Sequence, residues 1–322
     1  MGIPIDTAVQ HRDVAKIPTS GSLSGNNKNL NYYFQEFHKT INDNKDGINT
    51  SFNLTSGIVN FLGFLNGNFN FVSMDEETVE KTCNFFAKLG TASRGITGAA
   101  DCWAKNNLIP LVGSILEVPI ALFTNGYDLW LGRGLAQSVR QVQATIKRRG
   151  MKITTSDKKE ITLSTKDGDD FAKYGIGMWD GFIYSIKEFG KVFKEIFTNP
   201  FAKDGQTFGR AVTFCSVFQG GGPIIALLGL DKIGAFLRDL AGGLIDIAYM
   251  MDKREPGKHS YFPAGLLWLG SAAIDFEKRV DLLLPGWNNR TQLSLALDPL
   301  AAIYESRANY DTGSEAQHAQ AT

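Results

Sequence analysis

The residues that could carry catalysis or hold a metal are few in this chain and lie far apart. The four histidines are His11, His38, His259 and His318, and no two of them have the spacing of a metal-binding pair. The motifs GxSxG, HExxH and CxxC do not occur. An active site that assembles only in the fold stays possible, because catalytic triads are recognised by geometry and not by sequence order. The sequence therefore predicts no catalytic, cofactor-binding or metal-binding residues, and it favours a non-enzymatic protein over an enzyme.

The cysteines also argue against redox or metal chemistry. Cys83, Cys102 and Cys215 are odd in number and widely spaced, which suits neither a disulfide framework nor a zinc site. Each stands beside apolar residues, where a cysteine behaves as a small hydrophobic side chain. We expect three buried, reduced thiols.

Composition narrows the class of partner. The chain has 33 basic and 33 acidic residues, so it lacks the basic excess by which nucleic-acid binders neutralise phosphates. It is 43% hydrophobic and contains 34 glycines, many of them inside apolar runs. Glycine is costly in a helix unless the helices approach closely or break there. This pattern predicts closely packed helices and no nucleic-acid partner.

The periodicity of apolar residues predicts a mainly α, multi-helix protein with amphipathic and broken apolar helices and one short β-hairpin near 151–165. No basic start with an apolar stretch behind it precedes the first helix, so no cleavable signal peptide is expected. The predicted regions are a mobile N-terminal arm (1–30), an N-terminal helical region (31–150), the hairpin connector (151–165), a C-terminal helical region (166–304) and a mobile tail (305–322).

Two apolar stretches of the N-terminal region have defects as membrane spans. The uncharged segment 47–74 contains six asparagines, which are costly in hydrocarbon, and it is expected to be a buried or interfacial helix that ends in a turn at 66–68. Ser73 is then expected to cap the next helix. Segment 107–127 carries Glu117 and Pro119, which favour a re-entrant or hairpin-like insertion over a straight helix.

The clearest amphipathic helix is predicted to begin at Asp169 and Asp170, and its apolar face covers 179–197. Its lysines lie opposite a broad apolar face, as in helices that lie at a membrane interface, although the same pattern suits a helix packed on a protein core. The residues predicted to contact a membrane or a partner here are Trp179, Phe182, Ile186, Phe189, Phe193 and Phe197.

The C-terminal apolar segments add further contact candidates. Segment 211–230 has no charge but is interrupted at 219–223, which predicts two half-helices or a helical hairpin. In 231–251, apolar residues recur every three or four positions and predict a stripe for a partner helix, with charged residues on the remaining face. Segment 261–274 is too short to span a bilayer, but an aromatic residue could anchor it. The contact residues predicted here are Leu237, Leu240, Leu244 and Trp268.

Together these features predict a non-enzymatic, membrane-associated helical protein that anchors to, shapes or permeabilises a bilayer. Its partners would be the lipid bilayer or neighbouring subunits of a homo-oligomer, with no cofactor. The alternative is a soluble structural subunit of a virion or other large assembly, located inside a particle or in the cytoplasm.

Overall fold

A computed structural model describes residues 30–70, 72–123, 138, 151–163, 170–199, 207–251, 258–280 and 285–310. The predicted N-terminal arm before Leu30 and the end of the predicted tail after Tyr310 lie outside these residues. The chain divides into two compact units, Met1–Phe37 and His38–Thr322.

The described residues are mainly helical and contain one antiparallel hairpin, so the predicted fold class is confirmed. The helices are α1 (Leu30–Phe69), α2 (Glu76–Ala104), α3 (Leu108–Phe123), α4 (Met178–Thr198), α5 (Thr207–Ile225), α6 (Asp231–Met251), α7 (Lys258–Val280) and α8 (Arg290–Tyr310). A π-helical turn, Ala226–Leu230, joins α5 to α6. Strands β1 (Met151–Thr154) and β2 (Glu160–Leu163) pair with Met151 opposite Leu163.

The first two helices do not end and begin where the sequence suggested. Helix α1 continues through the predicted turn at 66–68 and ends before Asn70, whose φ of 48° is left-handed. Asparagine tolerates that conformation better than most residues. The cap of α2 is Asp75 and not Ser73: the Thr78 amide donates to Asp75 Oδ1 at 2.8 Å.

The prolines and glycines inside apolar segments break fewer helices than predicted. Helix α3 runs through Pro119, so the helix break expected at this proline is wrong. Helix α5 likewise includes Pro223, and the break falls later, at Gly229, whose φ is 93°. A proline costs one backbone hydrogen bond, which packing can offset, whereas a positive φ ends helical geometry outright.

The last helix is longer than the sequence suggested. The predicted tail begins at Glu305, but α8 continues to Tyr310 and the Glu305 side chain is buried. The last described helix therefore has buried residues beyond position 304, which the polar composition of 305–322 did not indicate.

Close approach between helices explains much of the glycine content. A Cβ on Gly95 of α2 would lie 2.9 Å from the Ser114 carbonyl oxygen of α3. A Cβ on Gly222 of α5 would lie 2.5 Å from the Gly234 carbonyl oxygen of α6. Both obstacles are backbone atoms, which cannot turn away as a side chain can. The expectation of closely packed helices is therefore confirmed at these contacts.

The hairpin packs on α4 and forms an apolar cluster of larger side chains. Its buried members are Met151, Ile153, Leu163, Phe171, Ile176 and Val192. Elsewhere the buried apolar residues are more often alanines, which leaves room for polar side chains between the helices.

We expect Gly222→Ala to destabilise the protein by about 1–3 kcal/mol, because overpacking would push α5 away from α6. The adjacent Gly221 supplies a matched control, since a Cβ there meets nothing within 4 Å. Gly221→Ala should leave stability unchanged or raise it by up to about 1 kcal/mol through helix propensity. Denaturant unfolding monitored by circular dichroism measures both, and equal effects of the two variants would contradict the close approach.

Candidate functional site

From Asn49 onward, helix α1 buries several polar side chains and exposes several large apolar ones. Asn53 and Asn60 are completely buried. Arg94 of α2 donates to Asn53 Oδ1, and Asn49 donates to Ser306 Oγ at 2.8 Å. The amides of Asn49 and Asn53 are therefore hydrogen-bonded within the bundle, which removes most of the cost of burying them. The exposed apolar side chains on the opposite side are Phe52, Leu54, Ile58, Phe61 and Leu62.

Helix α3 shows the same reversal. Ser114 and Glu117 face the interior, where Gly95 of α2 allows close approach. The exposed side chains of α3 include Val112, Ile115, Leu116, Leu122 and Phe123. An apolar exterior over a polar interior is unusual in water, where apolar side chains are more favourably buried.

Helix α4 presents the broad apolar surface that the sequence predicted. We call this surface the aromatic face; its exposed members are Trp179, Ile183, Ile186, Phe189, Phe193 and Phe197, and Phe182 beside them is half-buried. Trp179 and Phe197 at its two ends are 65% and 68% exposed. The rings contact one another, with Phe189 and Phe193 stacked at 5.9 Å. The face is continuous along the helix.

The attachment of α4 to the rest of the protein explains why the aromatic face stays outside. The helix buries a narrow stripe of small residues, Gly181, Ser185 and Val192. A Cβ on Gly181 would lie 2.7 Å from the Phe171 ring, so the contact requires a residue without a side chain. The aromatic residues lie on an adjacent side and stay partly exposed, from 36% at Phe189 to 68% at Phe197.

The lysines of α4 flank the aromatic face. Lys187, Lys191 and Lys194 are exposed, and helical geometry places them between the aromatic face and the side that carries Glu188 and Glu195. Lys191 pairs with Glu188. This order along the helix circumference, apolar then basic then acidic, puts cationic groups at one edge of the apolar surface.

The remaining predicted contact residues divide between surface and interior. Leu244 is exposed, while Leu237 and Leu240 are half-buried. Trp268, predicted as an interfacial anchor, is instead 3% exposed and packs against Ala301 and Ala302 of α8. It lies inside the bundle, where α7 meets α8.

The interior of α6, α7 and α8 holds an ionic cluster. The Arg238 guanidinium donates through Nη2 to Asp298 Oδ2 at 2.7 Å and through Nε to Asp239 Oδ1. The Ser271 hydroxyl donates to Asp298 Oδ1 at 2.6 Å and lies 3.0 Å from Ser294 Oγ. All five side chains are at least 95% buried.

The sequence interpretation placed the charges of α6 on the face beside the apolar stripe and did not predict that Arg238 and Asp239 would be buried. The signal that could have revealed it is a shared spacing in two apolar helices. Serine precedes aspartate by four positions in α7 (Ser271 and Asp275) and again in α8 (Ser294 and Asp298). Residues four apart lie on one side of a helix, and aspartates surrounded by apolar residues point inward when they are paired.

The charges of the cluster are strongly perturbed by burial. Burial raises the pKa of Asp239 well above its ordinary value; Arg238 opposes this rise, while Asp298 and Asp275 add to it. Burial by itself lowers the pKa of Arg238, but Asp239 and Asp298 together raise it by more than burial lowers it. The net shift of the pKa is therefore upward, and the guanidinium remains a cation.

The other candidate chemical groups have ordinary structural surroundings. His38 Nε2 lies 2.9 Å from the Ala100 carbonyl oxygen. Cys83 and Cys102 are buried and Cys215 is half-buried, and all three are free thiols. Burial raises the pKa of Cys83 to about 11 and also raises that of Cys215. Among the described residues, no group of three or more histidine, cysteine, aspartate or glutamate side chains has an arrangement that could hold a metal.

None of the described helices is both long enough and apolar enough to cross a membrane. Comparisons with protein-family models, with curated proteins and with solved structures find no match to this chain.

Proposed function

We propose that this protein associates with the surface of a lipid bilayer through the aromatic face of α4. The observation that carries the proposal is the exposed aromatic face, which extends from Trp179 to Phe197 along one helix beside a row of lysines. Such a helix would lie in the plane of the interface, with its rings among the acyl chains and its lysines among the headgroups.

The arrangement of charge favours a lipid surface over a second protein. Lys187, Lys191 and Lys194 border the aromatic face at one edge, and long cationic side chains there can reach acidic phosphates while their stems cover apolar surface. Each basic residue near an acidic membrane surface contributes about 1 kcal/mol of attraction. A protein partner would need acidic groups in matching positions, whereas a membrane with acidic lipids supplies them everywhere.

The apolar exteriors of α1 and α3 support the same proposal. Both helices bury polar side chains, which in α1 are hydrogen-bonded inside the bundle, and both expose large apolar side chains. Contact with hydrocarbon or with another subunit would remove these side chains from water, at about 25 cal/mol for each Å² buried. The proposed role is to anchor to or shape a bilayer, without catalysis.

Flotation on a density gradient tests the proposal. Purified protein should float with vesicles that contain acidic lipids, float less with neutral vesicles, and be released by detergent. Part of the binding should resist high salt, because the aromatic face contributes an apolar component that salt does not screen. Protein that stays at the bottom with both kinds of vesicle would overturn the proposal. Defined oligomers formed without lipid would then favour the structural-subunit alternative.

A further inference from the structure

The turn that joins α5 to α6 is apolar and exposed. Its residues, Ala226–Leu230, are alanine, leucine and glycine. Leu228 is 79% exposed and Leu230 53%, and Ile224 just before the turn is also exposed. Connections between helices in water are usually polar, because both their backbone and their side chains are solvated. Exposure of three large aliphatic side chains at one turn is therefore unfavourable in water.

The backbone of this turn departs from helical geometry at a single glycine. Gly229, between Leu228 and Leu230, has a φ of 93°, in the left-handed region that favours glycine. A Cβ on Gly229 would meet nothing within 4 Å. The glycine is therefore required by the backbone angle and not by crowding, and the turn lies at the outside of the helical bundle.

Close contact between α5 and α6 fixes the base of the turn. Gly222 of α5 and Gly234 of α6 lie against each other, four residues before and four residues after the turn. A Cβ on Gly234 would lie 2.6 Å from the Ala226 backbone nitrogen. Because the neighbouring atoms are backbone atoms, the two helices are held together where the turn begins and ends. We call residues 224–230 the α5–α6 tip.

The exposed surface of α5 continues the apolar character of the α5–α6 tip. The side chains that α5 buries include Thr213, Ser216 and Gln219, and those that it exposes include Phe214, Val217 and Phe218. The Ser216 hydroxyl donates to the Val212 carbonyl oxygen at 2.8 Å, so this buried group is hydrogen-bonded. Helices surrounded by hydrocarbon place polar and small residues against neighbouring helices and apolar residues outside. Helix α5 follows that arrangement up to the tip.

The lack of charge on this surface favours hydrocarbon over a protein as the partner. Residues 211–230 contain no charged side chain. Where the structure describes burial in this range, every exposed residue is apolar or glycine. Protein interfaces surround an apolar centre with a polar rim and form about one hydrogen bond per 100–200 Å². The acyl chains of a bilayer require no such polar groups.

We propose that the α5–α6 tip is a second membrane anchor, which enters the acyl-chain region of one leaflet without crossing the bilayer. The inference rests on the proposed partner, a lipid bilayer, but it does not require the aromatic face of α4. Because no cation lies within 211–230, insertion of the tip depends on apolar burial and contributes equally to the binding of acidic and neutral vesicles. The row of lysines on α4, in contrast, favours acidic lipids.

Leu228→Gln combined with Leu230→Gln tests the contribution of the tip. Both side chains are exposed, so the fold should survive the change, which circular dichroism verifies. Partition into vesicles should fall at least about tenfold, because two leucines that enter hydrocarbon are replaced by amides that prefer water. The factor should be the same with acidic and with neutral lipids. Leu228→Met with Leu230→Met is the matched control, since it keeps the tip apolar and should retain most of the binding.

A fluorescent label measures insertion directly, whatever the strength of binding. Leu228→Cys would carry an environment-sensitive fluorophore in a chain with Cys215→Ala, since Cys215 is half-buried and the other two thiols are buried. On addition of vesicles, the emission should shift to the blue, and lipids that carry a nitroxide on the acyl chain should quench it. The same label at the exposed Lys81→Cys is the matched control and should keep its emission.

The outcomes separate the α5–α6 tip from the aromatic face. Wild type that floats while the label at position 228 keeps its emission would overturn the inference and leave α4 as the anchor. A chain that also carries Phe189→Asp and Phe193→Asp, floats at full strength and shows the blue shift would support the inference and contradict the role of α4. Oligomers that form without lipid and dissociate in the Leu228→Gln, Leu230→Gln variant would assign the tip to a second copy of the chain and overturn the inference. Wild type that floats with neither kind of vesicle would overturn both proposals.

Discussion

Replacement of both Phe189 and Phe193 with aspartate is expected to weaken binding to acidic vesicles strongly. The two rings stack at the centre of the aromatic face, and both side chains are already exposed, so the fold should survive the change. Complete burial of an exposed phenylalanine contributes about 1.5–3 kcal/mol, and because Phe189 and Phe193 are 36% and 38% exposed, the pair contributes about 1–2 kcal/mol of binding. That loss corresponds to about a 5- to 30-fold weaker partition before the charge of the aspartates is counted, because each 1.4 kcal/mol is tenfold.

The aspartates would also add two negative charges that acidic lipids repel. Phe189→Leu with Phe193→Leu is the matched control, since it keeps the face apolar and should retain most of the binding. Vesicle flotation and tryptophan fluorescence of Trp179 measure both variants, and circular dichroism checks that they are folded. Full-strength binding of the double aspartate variant would show that α4 is not the anchor.

Arg238→Met should cause the largest loss of stability of any single substitution in the ionic cluster. The change removes the cation that is bonded to Asp239 and Asp298 and leaves their carboxyls in the interior. Breaking a buried ion pair by removing one partner typically costs about 3–5 kcal/mol. Thermal unfolding and denaturant midpoints should both fall, and the loss should be smaller at low pH, where the carboxyls can take up protons.

A variant that also neutralises the two aspartates distinguishes the loss of charge compensation from the loss of arginine packing. If uncompensated charge causes the loss, Arg238→Met combined with Asp239→Asn and Asp298→Asn should recover part of the stability, because no charge is then left unpaired in the bonded trio. Lys81→Met is the exposed control, since the Lys81–Glu77 pair is surrounded by water and contributes little. A triple variant no more stable than Arg238→Met would instead attribute the loss to the packing of the arginine side chain against Trp268.

The apolar faces of the amphipathic helices could be predicted from the sequence because local periodicity determines them. Helix α6 spans the predicted 231–251, whereas α4 begins at Met178, later than the predicted start at Asp169 and Asp170, although its apolar face covers the predicted 179–197. The hairpin follows from two β-branched runs that flank a polar turn. Helix ends were less predictable, because one backbone angle or one capping hydrogen bond decides them. The break expected at 219–223 lies at Gly229, and Asp75 caps α2 in place of Ser73.

Which side of each helix faces inward was decided by the tertiary structure. The sequence alone determined that α4 has an aromatic side and a basic side, since both follow from spacing at 3.6 residues per turn. It could not determine that Asn53, Asp239 and Asp298 would be buried, because each depends on a partner supplied by another helix. Arg94 donates to Asn53, and Arg238 donates to both aspartates. Buried polar side chains are usually hydrogen-bonded, and only the packing of the helices decides which partners are close enough.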